Sequence, residues 1–305
     1  MNSNTNLKLT NLSFSYKNGI EVLQNINMDL KAGTITALVG ENGCGKTTLF
    51  RILSGMTSQS SGDIFFEGNK VLNSNIINYK KNLGYMPEQL TLYPEERVDK
   101  VIEYFALLRN FKLSQEKLTS ILDLVGLTEH RYKKISALSK GLKQRVNFAQ
   151  SIVHNPKISI FDEPSNGFDY IGVEIYYKVI NKLAQTGTIV IMTSHLFSEL
   201  WGKVDKILFL KSGQIKHEIQ AKFGNLNYAS KKVLFLRVDD QDKDKFNKIL
   251  EEKYPNIFLS DTTLKAELSI SHILNILSLV EQYKIKLSDI QIDSMDIQLM
   301  LKGAI

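Results

Sequence analysis

The sequence predicts an α/β domain built on a parallel sheet, carrying a helical insertion and followed by a small α+β domain. Three observations point there. Short apolar runs, Leu7–Phe14, Ile35–Val39, Ile158–Phe161 and Ile189–Met192, are separated by polar or amphipathic segments of helical length. The run Ile35–Val39 passes through a glycine-rich turn into the apolar helical segment Thr47–Leu53. After about Phe223 the rhythm changes, which places a boundary between a domain of residues 1–223 and an accessory domain of residues 224–305.

Each part has its own grammar. Between about Glu95 and Pro156 the pattern is purely helical: Val101, Ile102, Phe105 and Leu108 recur at spacings of three and four, as do Leu118, Ile121, Leu122 and Val125. This is the helical insertion. The turn Ser212-Gly213-Gln214 joins two short strands as a hairpin. Beyond it come a strand Val233–Val238, a helix Lys243–Lys253, strands Ile257–Leu259 and Leu264–Ile270, a helix Ile273–Tyr283 and a strand Ile285–Ile292. That βαββαβ order suits a split-βαβ domain, with a core expected from Leu234, Leu236, Phe246, Ile249, Leu250, Leu268, Ile270, Ile276, Leu277 and Ile290.

Composition sets limits. A chain of 305 residues with 43% hydrophobic and 23% charged residues is ordinary for a globular protein, which excludes disorder and fibrous repeats. No apolar run approaches the roughly 20 residues of a membrane helix. The one cysteine, Cys44, excludes an internal disulfide. The net charge of +6 is spread over scattered residues and short pairs such as Lys80-Lys81 and Lys133-Lys134, so a solvated surface is expected rather than a nucleic-acid partner.

The chemistry concentrates in two segments. Gly40-Glu41-Asn42-Gly43-Cys44-Gly45-Lys46-Thr47, followed by Thr48, fits the phosphate-loop pattern G-x-x-x-x-G-K-[ST]. Its glycines let the backbone wrap with N–H groups inward, and the following helix offers its positive end to phosphate. Lys46 would reach the β- and γ-phosphates of ATP, and Thr47 would ligate Mg2+. Such a loop, in a strand–turn–helix setting, predicts a P-loop NTPase core. The second segment, Ile158-Ser159-Ile160-Phe161-Asp162-Glu163-Pro164, ends a buried strand with two acids at the carboxyl edge of the sheet. Asp162 would hold Mg2+ and Glu163 would polarise the attacking water. Cys44 lies in the loop beside a helix N-terminus, where raised thiol reactivity and protection by ATP are expected.

From about Leu7 to Phe223 the chain resembles the nucleotide-binding subunits of ATP-binding cassette (ABC) transporters. The discriminating segment is Leu138-Ser139-Lys140-Gly141-Leu142-Lys143-Gln144-Arg145, similar to the L-S-G-G-Q signature, with Lys140 and Leu142 in place of Gly and Gln. The resemblance implies that Ser139 and Gly141 grip the γ-phosphate bound by an opposite protomer. It implies that Tyr16 stacks on adenine, although a core tyrosine alternating with Phe14 is an equal reading of the residue itself. Ser165-Asn166-Gly167-Phe168-Asp169 resembles the dimer-contacting loop, with Asp169 at its end. His195, directly after a strand, resembles the switch histidine. Gly84-Tyr85-Met86-Pro87-Glu88-Gln89 is similar to the loop that senses Mg2+ and touches the membrane partner. Either Glu88 or Gln89 fills its key position, with register favouring Glu88.

The ending Ser294-Met295-Asp296-Ile297-Gln298-Leu299-Met300-Leu301-Lys302-Gly303 is similar to that of drug- and bacteriocin-exporter ATPases of the bacitracin-resistance and antibiotic-efflux type. The resemblance implies an ATPase that dimerises around ATP, as homodimer or heterodimer. It would power a separately encoded transmembrane permease that exports a peptide or amphipathic small molecule, from the cytoplasmic side of the cell membrane. Two alternatives stay open: an ABC ATPase acting on ribosome or nucleic acid, and a non-hydrolysing partner in a heterodimer. Against the second, Lys46, Asp162, Glu163 and His195 are all present.

Overall fold

The computed structural model describes residues 6–17, 19–194, 200, 202–221, 231–255 and 257–294. The chain divides into two compact units near residue 222.

The first unit holds two sheets. Strands β1 (Asn6–Ser15), β2 (Glu21–Lys31), β4 (Ser61–Phe66) and β5 (Asn69–Lys70) form an antiparallel sheet of order β2-β1-β4-β5. The second sheet contains β3 (Ile35–Val39), β6 (Leu83–Met86), β7 (Ile158–Phe161), β8 (Ile189–Ser194), β9 (Lys206–Lys211) and β10 (Gln214–Gln220), in the order β10-β9-β3-β8-β7-β6. All neighbours in it are parallel except the β9–β10 hairpin. Strands β3, β7 and β8 are buried at every residue. That is why they read as unbroken apolar runs, as central parallel strands do. One core of buried side chains, including Leu12, Leu23, Phe50, Ile160 and Ile191, joins the two sheets to α1 (Lys46–Leu53).

Helices complete this unit: α2 (Ile76–Lys81), α3 (Val98–Leu108), α4 (Gln115–Leu124), α5 (Lys140–Ile152) and α6 (Tyr170–Gln185). Three of these, α3 to α5, make up the helical insertion, and the amphipathic spacing seen in the sequence buries Val101, Ile102, Leu118, Ile121 and Leu122. The order of the parallel strands sets the site: β3, β8, β7 and β6 lie side by side, so the loops after their carboxyl ends share one edge.

In the second unit, β11 (Lys231–Val238) lies between β12 (Thr263–Ser269) and β13 (Leu287–Ser294) and is antiparallel to both. Helices α7 (Lys243–Lys253) and α8 (Ile270–Gln282) connect them. The unit β12–α8–β13 is a split βαβ around β11. Among the described residues the sheet has three strands, not the four expected: Ile257–Leu259 forms no strand. The segment is spent on a tight connection instead, in which Ser260 and Thr263 bridge across Asp261 at φ 59° and Leu259 tucks into the core. Of the expected core, Leu234, Leu236, Phe246, Ile249, Leu250, Leu268 and Ile276 are buried and Leu277 packs at the margin. Ile290 is 46% exposed, because β13 is an edge strand. The side chain of Ile270 and the chain ending from Met295 onward, which carried the exporter-like motif, lie outside the described residues.

Candidate active site

The phosphate loop follows the last residue of β3 and enters α1 at Lys46, with Gly45 in the left-handed region at φ 112°. Gly43, at φ 80°, is the second residue of the loop in that region. Gly40 is required for space: a Cβ there would collide with the Leu210 carbonyl oxygen and lie 2.7 Å from the Cys44 sulfur. Lys46 is buried, and its ammonium donates to the carbonyls of Gly40 at 2.8 Å and Glu41 at 3.1 Å. It also stands 3.9 Å from the Glu163 carboxylate. Asn42 and Glu41 are exposed on the outer side of the loop.

The two acids leave the end of β7 next to β8. Asp162 is buried, and burial raises its carboxyl above the usual carboxylate range, although hydrogen bonds from Thr193 and Thr47 pull the other way. Thr193 Oγ1 donates to Asp162 Oδ1 at 2.9 Å and accepts the Glu163 backbone N–H at 2.6 Å. That second bond holds Glu163 in the left-handed region, φ 46°, where a non-glycine residue carries strain on the order of 1 kcal/mol. Thr193 was not anticipated. Its signal in the sequence is a hydroxyl directly after the apolar run Ile189–Met192; the pairing of β8 with β7 is what brings it beside the two acids.

Tyr16 is 45% exposed and not a core residue; its ring packs edge-on against Phe14 at 5.0 Å, and its hydroxyl lies 3.3 Å from Thr48 Oγ1. The ring therefore stands beside the start of α1. Burial pushes the Cys44 thiol upward, outweighing the lowering effect of Lys46, so the expectation of raised reactivity is corrected. A helix N-terminus favours a thiolate only where the sulfur stays hydrated, and this one is enclosed.

A second group of residues gathers elsewhere in the unit. Ser139 caps α5, its hydroxyl accepting the Leu142 N–H at 3.3 Å. Gly141 faces the Gly167–Asp169 backbone so closely that a Cβ would lie 3.4 Å from the Asp169 nitrogen. Asp169 caps α6 through the Gly172 N–H and receives Arg145 at 2.7 Å, which holds its carboxyl below the usual range. Glu88, exposed like Gln89, accepts from Asn166 at 3.2 Å through Oε1, and its charge also acts on Asp162. His195 lies outside the described residues.

The ABC transporter family matches residues 23–166. An uncharacterized ABC transporter ATP-binding protein of Methanocaldococcus jannaschii is 32% identical over 240 residues, which span 78% of this chain and 84% of that one. The chain belongs to the ATP-binding subunits of the ABC transporter family. A lantibiotic transport ATP-binding protein of Streptococcus pyogenes is 32% identical over 68% of this chain and 88% of its own length. The fold superposes with a TM-score of 0.64 on a dimeric ATP-binding cassette bound to ADP and phosphate, at 24% identity over 70% of this chain and 98% of that one.

This ABC subunit binds ATP with Mg2+ and hydrolyses the nucleotide. Its residues fit that ligand. The loop glycines leave backbone room for phosphate, Lys46 supplies the charge, and an exposed Thr47 hydroxyl beside a carboxylate is the hard oxygen pair that Mg2+ takes. Subunits of this family typically pair with a second cassette and a membrane permease. Among the described residues, no helix is long and apolar enough to cross a membrane.

Proposed function

We propose that the chain energises a membrane exporter, closing with a second cassette around ATP at composite sites. One observation carries the dimer reading: the chain holds two half-sites. Lys46, Thr47, Asp162, Glu163 and Thr193 form one group. Ser139 and Gly141 belong to another, packed on the loop that ends at Asp169. In this reading each group supplies one side of a composite site, and the opposite protomer supplies the other.

In this reading Asp162 and Thr47 hold the metal, with Glu88 as the loop residue that senses it. Glu163 polarises water, and Tyr16 supports adenine. The permease helix docks in a cleft of about 400 Å³ between α2 and α3, which is lined by Met56, Phe105 and Leu108 and floored by Pro87 and Leu90 of the Glu88 loop. Ile77, largely exposed, also lines it. The lantibiotic transport relative supports an exported peptide as cargo.

The test has two arms. Light scattering of Glu163→Gln with Mg-ATP is expected to show a dimer that reverts to monomer without nucleotide. Cells producing the chain with its permease are expected to tolerate a lantibiotic, and to lose that tolerance with Lys46→Ala. A monomer under all nucleotide conditions removes the composite site; tolerance unaffected by Lys46→Ala removes the export role.

A further inference from the structure

Gln144, Asn147 and Gln150 lie successive turns apart on α5, and all three are buried. Buried amides need partners, and here both N–H donors of each side chain are used along a directed ladder. Gln150 Nε2 donates to the Tyr85 carbonyl at 3.1 Å and to Asn147 Oδ1 at 3.2 Å. Asn147 Nδ2 donates to the Pro87 carbonyl at 2.9 Å and to Gln144 Oε1 at 3.4 Å. Gln144 Nε2 donates to the Asn166 carbonyl at 3.1 Å and to the Glu88 carbonyl at 3.4 Å. Each side-chain amide thus gives one hydrogen to the next rung and one to β6 or the loop after it, until the last rung divides between two loops.

The position of that last rung matters. Asn166 returns to Glu88 through its side chain, Nδ2 to Oε1 at 3.2 Å, and its backbone N–H donates to the Glu163 carbonyl at 3.0 Å. Among the described residues of α5, Gln144 is the rung whose amide reaches both the Glu88 loop and the loop between Glu163 and Asp169. It sits five residues beyond Ser139, on the same rigid helix. Outside the ladder itself, Gln150 bonds only to Tyr85 of β6 and Asn147 only to Pro87, where the Glu88 loop begins, and neither reaches the Asn166 loop.

We propose that Gln144 is a positioning residue that locks the Glu88 loop and the Asn166 loop to the helix carrying Ser139, so that metal binding at the Glu88 loop sets the placement of both surfaces offered to a second cassette. A helix joined to each loop separately could follow one and not the other. A shared amide makes their displacements common, because moving either loop alone leaves a buried N–H without an acceptor. The inference rests on the assignment of Glu88 as the metal-sensing loop residue.

The test uses the full chain and measures the Mg2+ half-saturation of ATPase activity, kcat, nucleotide affinity without metal, and Tm. Gln144→Leu is expected to raise the Mg2+ midpoint about fivefold or more and to lower kcat, with metal-free ATP affinity unchanged. Gln150→Leu removes an equivalent buried amide at the other end of the ladder; it is expected to lower Tm comparably and leave the Mg2+ midpoint in place. Asn166→Ala, at an exposed side chain, is expected to move the midpoint in the same direction, and the double variant Gln144→Leu/Asn166→Ala no further than the larger single effect. Equal midpoints for Gln144→Leu and Gln150→Leu, or additive shifts in the double variant, overturn the proposal. Should Gln144→Leu fail to fold, Gln144→Met, which keeps the length of the side chain without its amide, takes its place, and an unmoved midpoint there overturns the proposal. Glu88→Ala separates the two layers. If that variant leaves the Mg2+ midpoint unchanged, the metal-loop assignment fails; if it moves the midpoint and Gln144→Leu does not, only the positioning role fails.

Discussion

The hydroxyl of Thr193 donates to Asp162 at 2.9 Å. Because the same oxygen accepts the Glu163 amide, one side chain fixes the carboxylate proposed to hold the metal and the backbone of the neighbouring acid. Thr193→Val is expected to lower Tm, through loss of buried hydrogen bonds worth about 1–3 kcal/mol, and to reduce kcat more than ATP affinity. Thr193→Ser keeps the hydroxyl and should restore most of the rate. ATPase assays of the pair decide it: equal rates in Val and Ser variants show that the hydroxyl is dispensable.

Glu163 and Lys46 are expected to separate hydrolysis from binding. Glu163→Gln keeps the shape but cannot accept a proton from water, so turnover should fall by about 10²–10⁴ while ATP is retained. Lys46→Ala removes a charge-assisted contact to phosphate and should weaken nucleotide affinity itself by roughly 10–100-fold. Nucleotide retention on a desalting column, beside steady-state turnover, reads both. Wild-type turnover in Glu163→Gln removes that residue from its role.

His154 is expected to make stability pH-dependent. Its Nε2 lies 3.1 Å from the Leu83 carbonyl, and burial, aided by Arg109, lowers its pKa to about 4. In the unfolded chain it titrates near 6.5, so between these values the unfolded state binds more protons than the folded one. Stability therefore falls as pH drops from about 6.5 toward 4, by about 3 kcal/mol from this group, and is full above that window. Urea midpoints at pH 7.5 and 5.0 should differ less in His154→Gln than in the parent; an identical pH slope in both assigns the effect elsewhere.

Cys44 is expected to react slowly. With the thiol pushed upward by burial, little thiolate exists at pH 7.5, so maleimide labelling should run about tenfold or more behind a free cysteine and accelerate with pH. Mg-ATP should slow it further. A rate equal to that of free cysteine contradicts the enclosed sulfur.

Removing residues 224–305 is expected to leave a cassette that still binds ATP, since the second unit has its own core around Phe246, Leu250 and Ile276. The truncated chain should show a smaller dimer fraction in sedimentation with Mg-ATP, or hydrolysis uncoupled from the permease. Aggregation of the cassette would show that the tail belongs to its core. Unchanged oligomerisation, coupling and rate remove the interface role.

How much of this was legible depended on whether local chemistry or tertiary geometry set each feature. The phosphate loop and the Asp162-Glu163 pair were readable because phosphate binding dictates residue types at fixed spacing. Strand β2 was not, because a bulge at Asn25, φ 48°, breaks its alternation: Leu23 and Ile26 are three apart, whereas Ile26, Met28 and Leu30 are two apart. Thr193 belongs to the site only because β8 lies beside β7, a neighbour relation that no single segment encodes. The same holds for Gln144, which reads in sequence as a polar residue on an amphipathic helix. The absent fourth strand at Ile257–Leu259 shows the converse error, since three apolar residues carry too little pattern to separate a strand from a buried connection.

The ladder on α5 also bears on solubility. Strand β6 ends the parallel sheet, and a terminal strand of that kind invites pairing with another chain through its free carbonyls. Here the carbonyls of Leu83, Tyr85 and Pro87 are taken by His154, Gln150 and Asn147. The helix thus blocks the edge chemically as well as sterically, without adding a strand that could itself be extended. Any excursion that swings the helical insertion away from β6 exposes a ready template for β-addition, so the conformational range open to the insertion is also bounded by the need to stay monodisperse between encounters with a partner.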